Sequence, residues 1–329
     1  MFQAEILQKT ASHAKIRINE PMALHTTFRI GGPARIYIEP YYIEDLVNVI
    51  KYLRKEDEKY FIIGNGSNIL VNDMGYNGII ISTRGTSDKE LGQNYIEDGI
   101  CTPLDIVKVY DNDEKYDSEE KEEDRTVVYA GCGVLLSKLA VTAAENGLKG
   151  FEFAGGIPGT LGGAITMNAG AYGGEIKDAI IDARVITQEG EVLTLKKEEL
   201  ELSYRSSIIQ KQDMVVLDAH FAFKRGNKEE ILSYMQELNR KRRQKQPLEY
   251  GSAGSTFKRP DGYFAGKLIQ DAGLKGYRCG DIMVSDKHSG FVVNTGNGTY
   301  EQAMQVINHV QEKVKAKFGV DLELEVRLL

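Results

Sequence analysis

The glycine-rich stretch from Phe151 to Gly174, FEFAGGIPGTLGGAITMNAGAYGG, constrains the fold more than any other part of the chain. Eight of its 24 residues are glycine. Because glycine loses more conformational freedom on folding than any other residue, this density indicates backbone with positive φ or backbone that approaches a ligand closely. The residues between the glycines are apolar, which predicts an ordered, packed segment. Two interpretations stay open: the lining of a pocket, and a buried crossing of loops without a ligand.

Length, charge and cysteine content narrow the class of protein. A chain of 329 residues can hold two or three domains with ample core. The net charge of −7 argues against broad nucleic-acid binding but allows a local basic pocket. Three cysteines without a CxxC pair fit a reducing compartment, and five histidines without HxxxH or HExxH spacing predict no metal site. We see neither a signal peptide nor a bilayer-spanning run, so we expect a cytoplasmic protein of enzyme size.

A second glycine loop, GNGSNIL at residues 64–70, directly follows a predicted strand at residues 60–63. A predicted helix at residues 44–57 precedes that strand, and the order suggests a phosphate-binding loop. The dinucleotide fingerprint would need glycine where Ile69 stands, and neither glycine loop has the GK[ST] of a P-loop. If these loops hold phosphates, they do so in another fold. A polar turn between strands remains the alternative for residues 64–68.

Hydrophobic periodicity and turn residues predict the remaining elements. Residues 1–20 are predicted to be helical, residues 35–39 to be a strand, and residues 84–125 to be a polar surface insertion that includes the acidic run 111–124. The helix predicted at residues 134–146 has Leu135, Leu139, Val141 and Ala143 as candidate core residues. Further predictions are a strand at 126–130, a hairpin at 180–187 and 192–195, a strand at 214–224 that closes the first domain near 225–226, helices at 228–245, 265–272 and 300–318, and strands at 290–294 and 322–328.

A cluster of cations ends the predicted helix at residues 228–245, directly before the glycine-rich loop GSAGSTFKRP at residues 251–260. Basic residues at a helix C-terminus favour the helix dipole, which is one interpretation. A clamp for a diphosphate is the other. The cluster consists of Arg240, Lys241, Arg242, Arg243 and Lys245.

Taken together, these motifs resemble the UDP-N-acetylenolpyruvoylglucosamine reductase family, which acts in the synthesis of bacterial peptidoglycan precursors. The resemblance rests on eight segments in the family's order: HTTFRIGGPA (25–34), GNGSNILV (64–71), GLKGFEFAGGIPGTLGGAITMNAGAYG (147–173), SYRSS (203–207), GSAGSTFKRP (251–260), FAGKLIQDAGLKG (264–276), VSDKHSGFVVN (284–294) and LELEVR (322–327). The long acidic region and the pair Ile282-Met283 depart from the family's pattern. The shorter form of the family, which lacks an extra substrate-closing tyrosine loop, is the closer match.

The resemblance implies an α+β fold with three parts. Residues 1–83, together with a return strand at 320–329, would form one FAD-binding subdomain of the vanillyl-alcohol oxidase type. Residues 84–226 would form the second FAD-binding subdomain, and residues 227–319 a substrate-binding domain. The resemblance also implies a cytoplasmic enzyme of cell-wall synthesis, with consequences for cell shape, cell cycle and division, and we expect a monomer without nucleic-acid or membrane partners.

The resemblance implies FAD and NADPH as cofactors and places FAD against the two glycine loops. Residues 64–70 and 157–163 would surround its diphosphate, and residues 167–173 would lie along the flavin. The cofactor-binding residues predicted in this way are Gly64, Asn65, Gly66, Ser67, Asn68, Ile69, Leu70, Ile157, Pro158, Gly159, Thr160, Gly162, Gly163, Met167, Asn168, Gly170 and Ala171.

The implied reaction passes a hydride from NADPH through the flavin N5 to C3 of the enolpyruvyl group, and adds a proton at C2. Arg205 matches the residue that pairs with the substrate carboxylate, Ser255 matches the proton donor, and Glu325 matches the active-site glutamate. Judged without the family, these residues would be assigned as an ion pair, a capping serine and an exposed strand residue. The predicted substrate contacts are Tyr204, Arg242, Lys245 and Lys267, while the residue type varies in the family at the position of Arg259.

Two other functions compete with the reductase. An FAD-dependent oxidase of a small alcohol could use the same fold, but it has no need of the basic cluster at residues 240–245. A non-catalytic protein that binds a UDP-sugar or a flavin has no need of a proton donor.

Overall fold

The computed structural model describes residues 2–84, 102–110 and 125–329. Its helices are α1 (Phe2–Thr10), α2 (Ile43–Lys55), α3 (Leu136–Glu145), α4 (Leu161–Thr166), α5 (Ile208–Lys211), α6 (Lys228–Lys245), α7 (Ala265–Asp271) and α8 (Tyr300–Phe318). Its strands are β1 (Lys15–Pro21), β2 (Pro33–Glu39), β3 (Tyr60–Ile63), β4 (Ile69–Leu70), β5 (Tyr76–Ser82), β6 (Val107–Tyr110), β7 (Arg125–Gly131), β8 (Leu148–Lys149), β9 (Gly170–Ala171), β10 (Gly174–Glu175), β11 (Ile180–Ile186), β12 (Val192–Lys196), β13 (Val215–Arg225), β14 (Gly251–Ser252), β15 (Arg278–Cys279), β16 (Ile282–Val284), β17 (Val292–Asn294) and β18 (Arg327–Leu328).

The chain separates into two compact units, each assembled from several stretches of sequence. The first unit comprises Met1–Arg17, Ile36–Asn65 and Ile79–Arg240. The second comprises Ile18–Arg35, Gly66–Gly78 and Lys241–Leu329. The three-part division inferred from the sequence stays a prediction.

The first unit is built on an antiparallel sheet of order β12-β11-β13-β7-β6, with β8 also paired to β13. Strand β13 forms its centre because its apolar side chains are buried along most of its length. The glycine-rich stretch begins at this core: the ring of Phe151 lies 5.6 Å from that of Phe221 and 5.5 Å from that of Phe223. The stretch is therefore anchored by aromatic burial before its glycines begin.

A second sheet, of order β1-β2-β5-β3, leads into the other glycine loop. Helix α2 follows β2 and buries Leu46, Ile50 and Leu53 on one face, as the sequence period predicts. Strands β3 and β5 are parallel, with Ile63 opposite Ser82. The chain thus leaves the carboxyl end of β3 directly into residues 64–68, a frequent position for ligand-binding loops in such sheets.

The second unit has a sheet of order β14-β17-β16-β15 and the long helix α8. Helix α8 buries Ala303, Val306, Ile307, Val310 and Val314, the spacing of one helical face. The capping box of Thr299 and Gln302 starts this helix, and Gly319 ends it in the left-handed region at φ +69°. Strand β18 pairs in parallel with β4 and brings the end of the chain beside the loop at residues 66–70.

Several sequence-based predictions of elements are confirmed, and others are wrong. Helices α6 and α8 have the predicted bounds. Residues 1–20 contain α1 and then β1, so the prediction of one helical segment is wrong. Val141 is 39% exposed and is not a core residue. Residues 322–328 alternate as predicted, but only Arg327–Leu328 form a strand, with a single bridge between Leu324 and Phe257.

The predicted surface insertion at residues 84–125 is wrong for residues 102–110. Strand β6 pairs with β7 in the central sheet, and Leu104 is fully buried in the core of the first unit. The acidic run at residues 111–124 lies outside the described residues. Within the described residues, no helix has the length and apolar character needed to cross a membrane.

Candidate functional site

In the first unit, the beginning of the loop at residues 64–68 meets the loop at residues 157–163. The side-chain amide Nδ2 of Asn65 donates to the carbonyl oxygen of Pro158 at 2.6 Å. A Cβ on Gly64 would lie 2.1 Å from Oγ1 of Thr160, so only glycine allows this approach. Thr160 is 1% exposed, and its hydroxyl has no hydrogen-bond partner among the described residues. Two segments that are almost a hundred residues apart therefore form one pair of loops.

The backbone of this pair of loops presents donors. The carbonyl of Pro158 accepts from Asn65, and the carbonyl of Gly159 accepts from Leu136 N at 2.9 Å. The described peptide bonds are all trans, so the N–H groups of Gly159 and Thr160 point away from these partners. These two N–H groups and the unpaired hydroxyl of Thr160 form a donor set that suits an anion such as a diphosphate. The residues present here fit the diphosphate of FAD.

Other glycines of the stretch are explained by packing within the protein. A Cβ on Gly162 would lie 3.1 Å from Cβ of Cys132, which would crowd the packing of α4. A Cβ on Gly170 would lie 2.6 Å from the carbonyl oxygen of Gly174, and one on Gly174 would lie 2.3 Å from Cδ1 of Phe153. Close packing within the protein therefore accounts for these glycines. The lining of a pocket by the loop at residues 157–163 stays a prediction.

The side chain of Asn168 has a structural role. It is 1% exposed and has φ +43°, a conformation that asparagine tolerates better than most residues. Its Nδ2 donates to Oε2 of Glu175 at 2.9 Å and to the carbonyl oxygen of Ser203 at 3.1 Å, while its Oδ1 accepts from Lys177 N at 3.1 Å. Any contact of Asn168 with FAD is therefore left to its backbone. Of the other predicted cofactor contacts in this stretch, Ile157, Met167, Gly170 and Ala171 are half-buried and Gly163 is exposed.

Arg205 lies on a tight turn closed by two hydrogen bonds between Ser203 and Ser206, at 3.0 and 3.1 Å. Its φ of +55° is unusual for a residue with a side chain, and Gln210 Nε2 holds its carbonyl oxygen at 3.2 Å. The guanidinium carbon lies 5.2 Å from the ring centre of Tyr204, which is half exposed. The turn therefore fixes the position of the backbone that carries both predicted substrate contacts.

The positive charge of Arg205 contributes to the lowered pKa of Glu175. The pKa of Glu175 is lowered mainly by its hydrogen bond with Lys177 and further by Asn168, and the charges of Lys177 and Arg205 add to the effect. A cation that stabilises one carboxylate in this way has the chemistry needed to hold another.

In the second unit, the rest of the glycine loop is fixed by two distant segments. Gly66 has φ +60°, and a Cβ there would lie 1.9 Å from the carbonyl oxygen of His25. Thr27 N donates to the carbonyl of Gly66 at 3.0 Å, so the N–H of Ser67 points to the opposite side. Asn68 Nδ2 donates to the carbonyl oxygen of Glu325 at 3.1 Å. Ile69 and Leu70 form β4 and are buried, so their side chains serve packing.

The structure brings Ser255 and Glu325 onto neighbouring segments of the second unit. Glu325 N donates to the carbonyl oxygen of Thr256 at 2.9 Å, and Lys258 N donates to that of Glu323 at 2.8 Å. Ser255 is half-buried and follows Gly254, which has φ +76°. Two segments that are seventy residues apart thus pair through their backbones, with Glu325 opposite Thr256, the residue after Ser255.

Thr27 has a structural role that the motif HTTFRIGGPA did not predict. Its Oγ1 donates to the carbonyl oxygen of Ser252 at 2.6 Å, and its N–H holds Gly66. Thr27 therefore links the glycine loop to the segment that carries Ser255. The only available signal was its place in the motif HTTFRIGGPA.

The predicted phosphate contacts lie in the second unit and are solvent accessible. Arg242 is half-buried and Lys245 is exposed, and both are in the last turns of α6. Lys267 Nζ pairs with Asp271 at 2.8 Å on the surface of α7. Because exposed pairs contribute little, a ligand phosphate could replace Asp271 at small cost. Arg259 stacks over the ring of Phe264 at 4.1 Å.

Comparisons with known proteins give two family models that match this chain. A model of an FAD binding domain matches residues 34–196. A model of the C-terminal domain of UDP-N-acetylenolpyruvoylglucosamine reductase matches residues 246–329. The chain is 49% identical over 323 residues to the reductase of Lachnoclostridium phytofermentans. The alignment covers 98% of this chain and 96% of that protein. It is 44% identical to the reductase of Caldanaerobacter subterraneus, with the same coverage.

Among solved structures, the crystal structure of the reductase from Thermus caldophilus superimposes with a TM-score of 0.72 at 33% identity. The alignment covers 96% of this chain and 98% of that one. The fold and the family models define an FAD-binding oxidoreductase. They confirm the predicted α+β fold class, with an FAD-binding part and a C-terminal domain. Within that class, the chain belongs to the UDP-N-acetylenolpyruvoylglucosamine reductase family.

Proposed function

We propose that this chain reduces the enolpyruvyl ether of UDP-N-acetylglucosamine to the lactyl ether, giving UDP-N-acetylmuramate. FAD, when bound, supplies the hydride transfer from NADPH to C3 of the enolpyruvyl group. The observation that carries the proposal is the backbone pairing of Glu325 with Thr256, the residue after Ser255, within the residues matched by the reductase's own C-terminal domain. The small-alcohol oxidase gains no comparable support.

Ser255 is proposed to donate the proton to C2. A serine hydroxyl is a weak acid in water, but an enolate that is protonated at carbon is a strong base, so a fixed hydroxyl within reach suffices. The backbone beside Ser255 is held by the hydrogen bonds of the next residue. The carbonyl of Thr256 accepts from Glu325 N, and its N–H donates to the carbonyl of Gly290, both at 2.9 Å.

Arg205 is proposed to pair with the carboxylate of the substrate, where negative charge accumulates as hydride arrives at C3. Glu325 is proposed to share the stabilisation of this charge as a hydrogen-bonding group, while Asn68 holds its backbone. Tyr204 is a proposed substrate contact, and Arg242, Lys245 and Lys267 are proposed contacts of the UDP phosphates.

Anaerobic stopped-flow absorbance tests the proposal in two half-reactions. NADPH should bleach the bound flavin, and UDP-N-acetylglucosamine enolpyruvate should restore its oxidised absorbance. Ser255→Ala should leave the bleaching nearly intact and slow the restoration severely. Equal loss in both half-reactions would contradict the role of Ser255, and reoxidation by oxygen alone would favour the oxidase. Thr256→Ser is a matched control, because it keeps the hydroxyl that accepts from Val292 N at 3.0 Å.

We infer further that the enzyme acts as a cytoplasmic monomer. Its product is a precursor for peptidoglycan synthesis, so depletion of the enzyme disturbs cell shape and division. Light scattering of the purified holoenzyme and microscopy of depleted cells test these statements. A stable oligomer would contradict the first, and unchanged cell shape would contradict the second.

A further inference from the structure

Glu175 lies at the end of β10, and the proposed mechanism assigns it no role. Strands β9 and β10 form a short hairpin in which Glu175 is opposite Gly170. A Cβ on Gly170 would lie 2.8 Å from Cγ of Glu175, so the glutamate side chain packs where any other residue at position 170 would carry its own. The N–H of Glu175 donates to Oδ2 of Asp178 at 2.7 Å. These contacts fix the place at which the side chain leaves the hairpin.

The carboxylate of Glu175 is held beside the turn that carries Arg205. Nδ2 of Asn168 donates to Oε2 of Glu175 at 2.9 Å and to the carbonyl oxygen of Ser203 at 3.1 Å. Because one nitrogen atom binds both oxygens, they lie within about 6 Å of each other. The other end of this buried amide accepts from Lys177 N at 3.1 Å, which prevents its rotation. The carboxylate therefore has a fixed position beside the first residue of the turn.

The backbone of Arg205 is fixed by a second set of hydrogen bonds. Nε2 of Gln210 donates to the carbonyl oxygen of Arg205 at 3.2 Å and to that of Thr166 at 2.7 Å. Oγ of Ser207 donates to the same carbonyl of Thr166 at 2.6 Å. The turn is thus attached to the end of α4. What remains to be restricted is the side chain of Arg205, which has among the largest rotamer freedom of any residue type.

The charge of Glu175 can supply that restriction. Its Oε2 lies 2.8 Å from Nζ of Lys177, and this hydrogen bond is the largest cause of its lowered pKa, against the opposing effect of burial. The carboxylate is therefore ionised at neutral pH. The charge of Arg205 lowers the same pKa further, so the guanidinium is close enough to interact with this carboxylate. Because the attraction is mutual and the carboxylate is fixed, it favours those arginine rotamers that face Glu175.

We propose that Glu175 is a positioning residue for Arg205: its fixed carboxylate holds the guanidinium in the orientation in which it pairs with the carboxylate of the substrate. A guanidinium has five N–H donors, which is enough to serve two carboxylates at once. Orientation before the reaction matters because negative charge accumulates on the substrate during hydride transfer. This inference rests on the proposed function, in which Arg205 binds the substrate carboxylate.

Anaerobic stopped-flow absorbance of the holoenzyme tests the inference at saturating UDP-N-acetylglucosamine enolpyruvate. Glu175→Gln removes the charge but keeps an oxygen that can accept from Asn168. We expect flavin reoxidation by substrate to slow about 3- to 10-fold, with flavin reduction by NADPH unchanged. Glu175→Asp keeps the charge and should react faster than Glu175→Gln. Glu152→Gln is the matched control, because it removes one charge from the same glycine-rich stretch and keeps an acceptor for Gly150 N; both half-reactions should be unchanged.

A double-mutant cycle with Arg205→Gln separates positioning from a merely structural role. If Glu175 acts through the guanidinium, Glu175→Gln should cause less than about a 2-fold further loss when Arg205 is already replaced. An undiminished loss in that background would overturn the inference, and so would an unchanged rate in the single variant. Equal slowing of both half-reactions, or a Gln variant faster than the Asp variant, would assign Glu175 to hydrogen bonding alone and overturn it too. Failure of the substrate to reoxidise the wild-type flavin would instead overturn the proposed function.

A measurement on the wild-type protein covers the case in which a variant of Glu175 does not fold or loses FAD. A crystal structure of the oxidised holoenzyme with the enolpyruvyl UDP-sugar should show the guanidinium of Arg205 between the carboxylates of Glu175 and the substrate. A guanidinium that binds the substrate but is turned away from Glu175 would refute the positioning role.

Discussion

Substitution of Gly66 by alanine tests two requirements of the glycine loop: a positive φ at this residue and a close approach to the segment that contains His25. At φ +60°, an alanine carries the strain of the left-handed region, about 1–2 kcal/mol. Its Cβ would also lie 1.9 Å from the carbonyl oxygen of His25, so the two segments must separate by about 1.5 Å to reach ordinary contact. That movement breaks the hydrogen bond from Thr27 N to the carbonyl of Gly66. The clash adds about 1–3 kcal/mol of destabilisation to the strain.

Gly319→Ala is the matched control for this experiment. Gly319 ends α8 at φ +69° in the same unit, and a Cβ there would meet nothing within 4 Å. Its alanine variant therefore carries the conformational strain without the clash. Urea unfolding should show Gly66→Ala to be less stable than Gly319→Ala by about 1–3 kcal/mol.

Binding of FAD gives the second readout. Displacement of the loop moves the N–H of Ser67, and loss of one hydrogen bond to a charged group costs about 1.5–3 kcal/mol, or about 10- to 100-fold in Kd. Flavin fluorescence titration of the apoprotein measures this change. If Gly66→Ala binds FAD as tightly as Gly319→Ala does, the loop at residues 66–68 does not contact the cofactor and the reasoning is wrong.

Three further substitutions test other parts of the structure. Arg205→Lys keeps the charge but loses the planar guanidinium beside Tyr204; stopped-flow should show unchanged flavin reduction by NADPH and about 100-fold slower reoxidation by substrate, and equal slowing of both steps would count against the assignment. Asn168→Ala removes three hydrogen bonds from a buried side chain and should lower the free energy of unfolding by about 2–4 kcal/mol; a loss below about 1 kcal/mol would contradict this. Burial raises the pKa of Asp45 despite the nearby His13, so the stabilising contribution of its protonated form is present at low pH and is lost as pH rises through the folded-state pKa. Asp45→Asn should therefore raise the Tm more at pH 7 than at pH 3, and a lowered Tm at pH 7 would refute the argument.

Local features of the sequence were enough to predict many elements. The bounds of α6 and α8 follow from apolar residues that recur with the helical period, and α8 also has its own capping residues. The glycine density between Phe151 and Gly174 correctly predicted packed backbone with close approaches. The family motifs predicted the FAD-binding part and the C-terminal domain, because they record residue types at fixed spacings along the chain.

Predictions failed where long-range contacts outweigh local preference. Residues 102–110 are flanked by polar sequence, and only their pairing with β7 and the burial of Leu104 make them part of the sheet. Residues 322–328 alternate like a strand, yet only two of them find a continuous partner, in β4. Strand formation depends on a neighbour that the local sequence does not identify.

The sequence by itself determined which residues are proposed to carry the chemistry: a hydroxyl, a carboxyl group, a guanidinium and two loops of glycine. Only the tertiary structure decided which of them meet. Asn65 reaches Pro158, Thr27 reaches Ser252, and Asn68 reaches Glu325, a residue 257 positions further along the chain. It also decided that the amide of Asn168 is used within the protein. The physical reason is that hydrogen bonds and van der Waals contacts depend on distance in space, whereas periodicity and spacing report only on neighbours along the chain.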